Sequence, residues 1–414
     1  MGCSSSAEAK TTRIPSAEDI PTLLLSPKSK NPRKDSWDGF NAGTQCEPPK
    51  KEIQNSANAS AKEPSAESII LKMIIGGCDD EKSILSSNTD AELESKASFA
   101  EKDMTMLGNI TDPSKSGLGF TCRKGVKSKS RPNQDSWLIL KTGELSIYGV
   151  FDGHGHDGHS VSNYVKEVLP QLIVKTRAFI YESCRRTGHN MEKMLKDSFK
   201  KLQNMIAEAT QMSKINAEFS GCTTTIIIHD HVKSKLYVSW VGDSGACVGK
   251  KTASGIVPLG LTWDHKPEIK EERMRIEKRG GQVLQDDNKT HRVWDKDHMF
   301  PGLNMSRAMG DLMGEIDAGI STEPSLKVYD ITPEDEVLLI CSDGIWTYLS
   351  FDEAVNIVSE FPSSQAGDAA EKLATEARNR WRESSSSVDD ITALVIYLNP
   401  GADAIDQKTT RESI

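Results

Sequence analysis

The order of strand-like and helix-like patterns limits what this chain can fold into more than any other feature. After about residue 116, short β-rich runs follow one another in adjacent pairs, and longer amphipathic stretches also come in pairs. A parallel sheet would need strands and helices to alternate one by one. The sequence therefore predicts antiparallel sheets covered by pairs of helices.

The same patterns predict the bounds of the elements. The predicted strands are Gly119–Cys122, Ser136–Leu140, Leu145–Phe151, Cys222–His229, Leu236–Val241, Ser325–Tyr329, Val337–Ile340 and Thr392–Leu398. The predicted helices are His159–Glu182, Asn190–Met212, Pro267–Arg279, Asp352–Glu360 and Gln365–Arg382. Residues 116–399 are expected to form one large domain, followed by a C-terminal tail at 400–414.

Residues 1–115 differ in composition from the rest of the chain. They are rich in Ser, Lys, Glu, Pro and Asn and have few aromatic residues, so they bury too little apolar surface to offset chain entropy. We predict a largely disordered tether. The apolar run Ser68–Ile75 is left open between a short docking element and an extra strand.

The first six residues, Met1–Ser6, fit the N-myristoylation pattern, with Gly2 as the acylated residue and Cys3 suited to palmitoylation. One myristoyl chain binds membranes only marginally, with a constant of about 10⁴ M⁻¹, so a second acyl chain is needed for stable residence. We predict a dually acylated protein on the cytoplasmic face of the plasma membrane, with a cytosolic pool.

Composition argues against several classes of function. The chain has 51 Lys and Arg against 60 Asp and Glu, a net charge of -9, which disfavours a broad basic face for nucleic acid. No apolar stretch reaches the roughly 18 residues of a membrane-spanning helix. The 8 cysteines form no C-x-x-C pair and follow no secretory signal, which indicates free thiols and disfavours structural zinc.

Acidic residues recur where apolar strands end. Asp152, Asp243 and Asp343 each follow such a run and precede Gly or Ser-Gly, and Asp389 and Asp390 precede another. One Asp-Gly pair is usually a turn, but four sets on buried strands predict carboxylates that meet in space. Such carboxylates repel and raise one another's pKa unless a cation lies among them. Oxygen ligands favour Mg²⁺ or Mn²⁺ over zinc.

Two short motifs are typical of other enzymes but do not fit their surroundings. Gly153–Gly158 matches the G-x-G-x-x-G fingerprint of dinucleotide-binding proteins, but Asp152 and Asp157 would place negative charge beside a pyrophosphate. Gly242–Gly245 reads Gly-Asp-Ser-Gly, as in serine proteases, but the upstream histidines lack the setting of that class.

Eight short motifs follow one another along the chain: Arg131–Asp135, Phe151–Gly155, Gly221–Thr224, Val241–Ser244, Asp264–Pro267, Ser306–Asp311, Ser342–Trp346 and Asp389–Thr392. In this order, they resemble the metal-dependent protein Ser/Thr phosphatases of the protein phosphatase 2C (PPM) type. The resemblance implies an α+β fold, a four-layer α/β/β/α sandwich of two antiparallel sheets flanked by helix pairs.

The resemblance also implies a site for two Mg²⁺ or Mn²⁺ ions at one end of the sandwich. Asp152 would bridge both ions, the Gly153 carbonyl would bind one, and Asp343 and Asp389 would bind the other. Asp135 is expected directly behind these ligands.

The reaction implied is hydrolysis of phosphoserine and phosphothreonine in proteins by a water held between the two ions, without a phosphoenzyme. His154 is the candidate general acid, and Arg131 is the candidate to grip phosphate oxygens in a bidentate way. Phosphoprotein substrates and the membrane are the expected partners, nucleic acid is not, and we expect a monomer. The alternative left open is a catalytically silent protein of the same fold that acts as a membrane-tethered binding module.

Three positions depart from the family pattern. Gln134 stands where relatives commonly have Glu, His156 where many have Gly, and Thr347 where an Asp would help the residue matching Asp243 to hold a third ion. The sequence thus predicts two ions and leaves a third, at Asp243, open. Residues 266–305 are expected to form a variable flap beside the site, with a solvated charged helix face made of Glu271, Glu272, Arg273, Arg275, Lys278 and Arg279.

Overall fold

Strands and helices follow one another in the predicted paired order. A computed structural model describes residues 73–79, 102–108, 112–126, 132–141, 144–183 and 191–399. The strands are β1 (Met73–Asp79), β2 (Lys102–Gly108), β3 (Leu118–Arg123), β4 (Asp135–Lys141), β5 (Leu145–His154), β6 (Gly221–Cys222), β7 (Thr224–Asp230), β8 (Lys235–Val241), β9 (Gly245–Thr252), β10 (Gly255–Gly260), β11 (Gly281–Gln285), β12 (His291–Asp295), β13 (Pro301–Leu303), β14 (Met309–Gly310), β15 (Ser325–Asp330), β16 (Asp335–Cys341) and β17 (Ile391–Tyr397). The helices are α1 (Gly158–Ser183), α2 (Met191–Gln211), α3 (Lys270–Lys278), α4 (Leu312–Asp317), α5 (Asp343–Trp346), α6 (Phe351–Ser359) and α7 (Ala366–Ser384).

Two sheets form the centre of the fold. The first has the order β15-β8-β7-β5-β4-β1-β2, and the short β6 joins β5 to β14 beside it. The second has the order β10-β9-β16-β17-β3. Neighbouring strands in both sheets run antiparallel.

The central strands are buried on both faces, because successive side chains point to opposite sides of a sheet. In β7, Ile226 and Ile228 lie in the core under one helix pair, whereas Ile227 lies in the core between the sheets. In β16, Leu338 faces the core between the sheets and Leu339 faces the other helix pair. Two-sided burial explains why these strands are continuous apolar runs in the sequence.

Helix pairs cover the outer face of each sheet. Val165 of α1 and Phe199 of α2 pack onto the first sheet, and Val355 of α6 and Leu373 of α7 pack onto the second. Helix α6 begins with a capping box, in which Ser350 and Glu353 exchange side-chain and backbone hydrogen bonds. The predicted four-layer α/β/β/α sandwich is confirmed.

The flap is a separate small unit made of α3 and a three-stranded sheet, β11-β12-β13. It has its own core, which includes Ile276 and Val293. Phe300 in the flap packs edge to face against Phe219, with ring centroids 5.6 Å apart, so the flap contacts the segment that leads into β6.

The solvated charged face predicted for α3 is wrong at one position. Glu272 is only 5% exposed. It accepts hydrogen bonds from Ser306 (2.5 Å) and Arg275 (2.8 Å) and pairs with Arg307. Arg307 lies 35 residues away along the chain, beyond the reach of a local charge pattern.

All predicted strands and helices are present, with ends shifted by a few residues. The strands β9 to β14 and the short helices α4 and α5 were not predicted, since several are very short and β10 alternates exposed and half-buried positions. Strands β1 and β2 extend the first sheet ahead of residue 116, the predicted start of the domain. Strand β1 begins within the run Ser68–Ile75, which agrees with the extra-strand alternative.

Gly2, Cys3, most of the predicted tether and the tail at 400–414 lie outside the described residues. In the part that is described, no helix is long and apolar enough to cross a membrane. Among the described residues, Cys122, Cys222, Cys247 and Cys341 are buried thiols that form no disulfide.

Candidate metal centre and acid–base pair

Strand pairing brings the predicted carboxylates to one end of the two sheets. Asp135 on β4 lies opposite Asp152 on β5. In the second sheet, β16 and β17 are antiparallel neighbours, so Asp343 just after β16 and Asp389 just before β17 lie at the same end.

The charge of Asp152 is unfavourable where the fold places it. Burial raises the pKa of Asp152 well above its usual value, and the negative charges of Asp135, Asp343, Asp389 and Asp243 raise it further. Carboxylates in such a group remain ionised together only when a cation compensates them.

Asp135 ties the two sheets together behind Asp152. Its side chain has no exposed surface, and its Oδ2 accepts hydrogen bonds from Ser342 (2.8 Å) and Thr392 (2.7 Å). Ser342 precedes Asp343, and Thr392 lies in β17. Asp135 therefore contacts both segments of the second sheet that carry predicted ligands, and its own place behind a metal site stays a prediction.

His154 lies at the end of β5 with one ring nitrogen held. Its Nε2 is 2.6 Å from Oδ2 of the buried Asp311. Burial alone would lower the pKa of His154, but the charge and hydrogen bond of Asp311, helped by the charge of Asp243, raise it above its usual value. Nδ1 is buried and makes no hydrogen bond with the described residues.

Asp311 is itself held in an unusual backbone conformation. Its φ of 43° is left-handed. Its N–H donates to the carbonyl of Ser220 (2.9 Å). The amide of Gln203, on α2, accepts from the N–H of Gly310 (2.9 Å) and donates to its carbonyl (2.8 Å). Sequence reasoning missed the roles of Asp311 and Gln203, since the motif at 306–311 does not indicate which histidine its acid contacts.

A lysine lies beside the acid proposed for a third ion. Lys266 Nζ is 2.5 Å from Oδ2 of Asp243, whose Oδ1 is buried and accepts no hydrogen bond from the described residues. Thr347 is exposed. Asp243 is thus partly compensated by Lys266, and its part in binding a third ion stays a prediction.

The donor set fits hard divalent cations. It offers carboxylate oxygens beside a tightly packed backbone at Gly153, where a Cβ would lie 2.4 Å from the carbonyl oxygen of Gly158. Within the described ranges, no three His, Cys, Asp or Glu side chains are already arranged as a group that could hold a metal ion. The carboxylates therefore lie near one another but are not arranged as a complete set of metal ligands, as expected from their mutual repulsion.

Residues 122–386 match the family model described as protein phosphatase 2C. The chain belongs to the protein phosphatase 2C family. It is 31% identical over 292 residues to "Probable protein phosphatase 2C 72" of Arabidopsis thaliana, a match that covers 68% of this chain and 85% of that relative. It is 33% identical over 289 residues to "Probable protein phosphatase 2C 64" of Oryza sativa subsp. japonica, covering 67% of this chain and 64% of that one.

A solved structure supports the fold of this protein phosphatase 2C. The structure of a serine-threonine phosphatase 2C from Toxoplasma gondii superposes with a TM-score of 0.58 at 22% identity, covering 70% of this chain and 96% of that chain. The two chains therefore share a fold, and the family model and the relatives show the protein phosphatase 2C family that the motifs indicated.

Two positions predicted to depart from the family pattern, Gln134 and His156, lie near the predicted ligands. The side-chain amide of Gln134 donates to the carbonyl of Gly155 at 2.8 Å. His156 is 88% exposed at its side chain and contacts Asp157. Arg131 lies outside the described residues, so its predicted contact with phosphate stays a prediction.

Proposed function

We propose that this member of the protein phosphatase 2C family hydrolyses phosphoserine and phosphothreonine in proteins by direct attack of water on phosphorus, without a phosphoenzyme. One observation carries the proposal: carboxylates from five segments of the sequence gather at one end of the sheets, beside a histidine held by Asp311.

Asp152, the carbonyl of Gly153, Asp343 and Asp389 would hold two Mg²⁺ or Mn²⁺ ions. When bound, the ions neutralise the phosphate dianion and lower the pKa of the attacking water. The carboxylates by themselves would repel a phosphate. Lys266 partly compensates the charge of Asp243, so the proposal includes two ions and does not need a third at Asp243.

His154 acts on the leaving group. As the bond between phosphorus and the Ser or Thr oxygen breaks, that oxygen takes the proton from Nδ1 of His154, and Asp311 stabilises the imidazolium beforehand through Nε2. General acids of this kind contribute about 10² to 10⁴ in rate. Arg131 is proposed to orient the phosphate through a bidentate contact.

We propose that the protein is a monomer. Gly2 and Cys3 are proposed acylation sites that hold it on the cytoplasmic face of the plasma membrane. The support for this proposal is the pattern Met-Gly-Cys-Ser-Ser-Ser.

Phosphate release from a phosphothreonine peptide tests the function. The full chain is expected to release phosphate with Mn²⁺ and to stop in excess chelator. Asp152→Asn should abolish release, whereas Asp330→Asn, which changes an exposed acid at the end of β15, should keep it. A wild-type protein without metal-dependent release would contradict the proposal and favour the silent binding module.

A further inference from the structure

Gln134 is hydrogen-bonded to three segments of the site at once. Its N–H donates to Oδ2 of Asp390 (2.8 Å), next to the predicted ligand Asp389. Its carbonyl accepts from the N–H of Gly153 (3.1 Å) and from Oγ of Ser162 (2.6 Å). These backbone contacts place the side chain of Gln134 against the loop that follows His154.

The side-chain amide of Gln134 makes a bond whose direction is determined by chemistry. The carbonyl of Gly155 can only accept, so the group 2.8 Å from it must be the NH₂ of the amide. An ionised carboxylate at position 134 has no hydrogen to donate and would face the carbonyl oxygen with like charge.

The backbone around this contact is closely packed at two glycines. At Gly158, a Cβ would lie 2.8 Å from Nε2 of Gln134. A Cβ on Gly155, whose φ is +84°, would lie 2.6 Å from the carbonyl oxygen of Phe219. Gly155 thus lies close to the segment that leads into β6 and accepts a hydrogen bond from Gln134.

We propose that Gln134 is a positioning residue for His154. By holding the carbonyl of Gly155, the amide of Gln134 sets the end of β5 so that the imidazole lies on Asp311 and presents Nδ1 to the leaving group. This inference rests on the proposed function, since it assigns a role to Gln134 in that same reaction.

Comparison of leaving groups separates positioning of His154 from general damage. A Ser or Thr alkoxide needs a proton as it leaves, whereas p-nitrophenolate is stable as an anion near neutral pH. In Gln134→Met, which keeps the length of the side chain but not the donor, we expect kcat on a phosphothreonine peptide to fall about tenfold more than kcat on p-nitrophenyl phosphate, at saturating Mn²⁺. His154→Ala should change the ratio in the same direction and by more.

Gln282→Met is the matched control. Gln282 also donates its amide to a main-chain carbonyl, that of Asp295 (3.0 Å), but in the flap, and its loss should leave the ratio unchanged. Gln134→Leu, which is also without a donor, should repeat the effect if Gln134→Met does not fold. An equal fall on both substrates, or an unchanged ratio, would overturn the role of Gln134. A wild-type protein inactive on both substrates would instead overturn the proposed function, and this assignment with it.

Discussion

Asp311 holds the imidazole of His154 from a position 157 residues further along the chain, with Oδ2 2.6 Å from Nε2. Both side chains are largely enclosed, at 2% and 17% exposure, so their charges interact with little screening by water. The pair links the end of β5 to the turn before α4, and Gln203 fixes that turn from α2.

Asp311→Asn should lower kcat on a phosphothreonine peptide by about 10²-fold, because an amide does not stabilise the imidazolium as a carboxylate does. KM should change little, since Asp311 contacts His154 and not the substrate. Steady-state kinetics at saturating Mn²⁺ measure both constants. A rise in KM with an unchanged kcat would contradict the role assigned to the pair.

Asp152→Asn should raise the melting temperature of the metal-free protein while abolishing activity. The pKa of Asp152 is raised in the folded state, so its ionisation at pH 7 opposes folding, and the neutral amide removes that cost. Each kcal/mol of relieved repulsion corresponds to about 2–4 °C in a domain of this size. Thermal unfolding with chelator and with Mn²⁺ checks this.

In the same experiment, Mn²⁺ should raise the melting temperature of the wild type but not that of Asp152→Asn, because a ligand stabilises only the state that binds it. Asp330→Asn serves as the control, with a wild-type response to the metal. A metal-free Asp152→Asn protein that melts below the wild type would show that the carboxylate is already compensated.

Glu272→Gln should destabilise the flap in a pH-dependent way. Burial would raise the pKa of Glu272, but hydrogen bonds from Arg307, Ser306 and Arg275 lower it to about 2 from 4.5. The folded-state pKa lies below the unfolded one, so the charge stabilises the fold above about pH 4.5, and this contribution is lost as the pH falls towards 2. At pH 7 it amounts to at most about 3 kcal/mol.

Melting temperatures measured between pH 7 and pH 3 should be higher for the wild type than for Glu272→Gln, and this difference should become smaller as the pH falls. Glu271→Gln removes the same charge from the exposed neighbouring position and should behave as the wild type does. A difference in melting temperature that does not change with pH would mean that Glu272 stabilises the flap through packing and not through charge.

Gly2→Ala should release the protein from the membrane fraction of cells, because N-myristoylation requires glycine at position 2. Cys3→Ser should have a partial effect, since one acyl chain binds only marginally. Fractionation followed by immunoblotting measures the distribution. A membrane fraction that Gly2→Ala leaves unchanged would rule out acylation as the anchor.

Local sequence patterns were sufficient for most of the fold. Apolar runs such as Val337–Ile340 predicted strands because two-sided burial makes nearly every residue apolar. The acids at strand ends predicted carboxylates that meet in space. Strands β5 and β8 both pair antiparallel with β7, so Asp152 and Asp243 come to the same end of the first sheet. The short strands of the flap were missed, since three to five half-exposed residues carry too weak a pattern.

The sequence by itself therefore determined the layers of the sandwich and the acids that meet at its end. Three contacts were decided only by the tertiary structure. They are the hydrogen bond of Asp311 to His154, that of Gln134 to Gly155, and the ion pair of Arg307 with the buried Glu272. Periodicity reports how a residue relates to neighbours a few positions away. Each of these contacts joins residues 21 or more positions apart, and which side chains meet at that separation depends on how strands pair and helices pack.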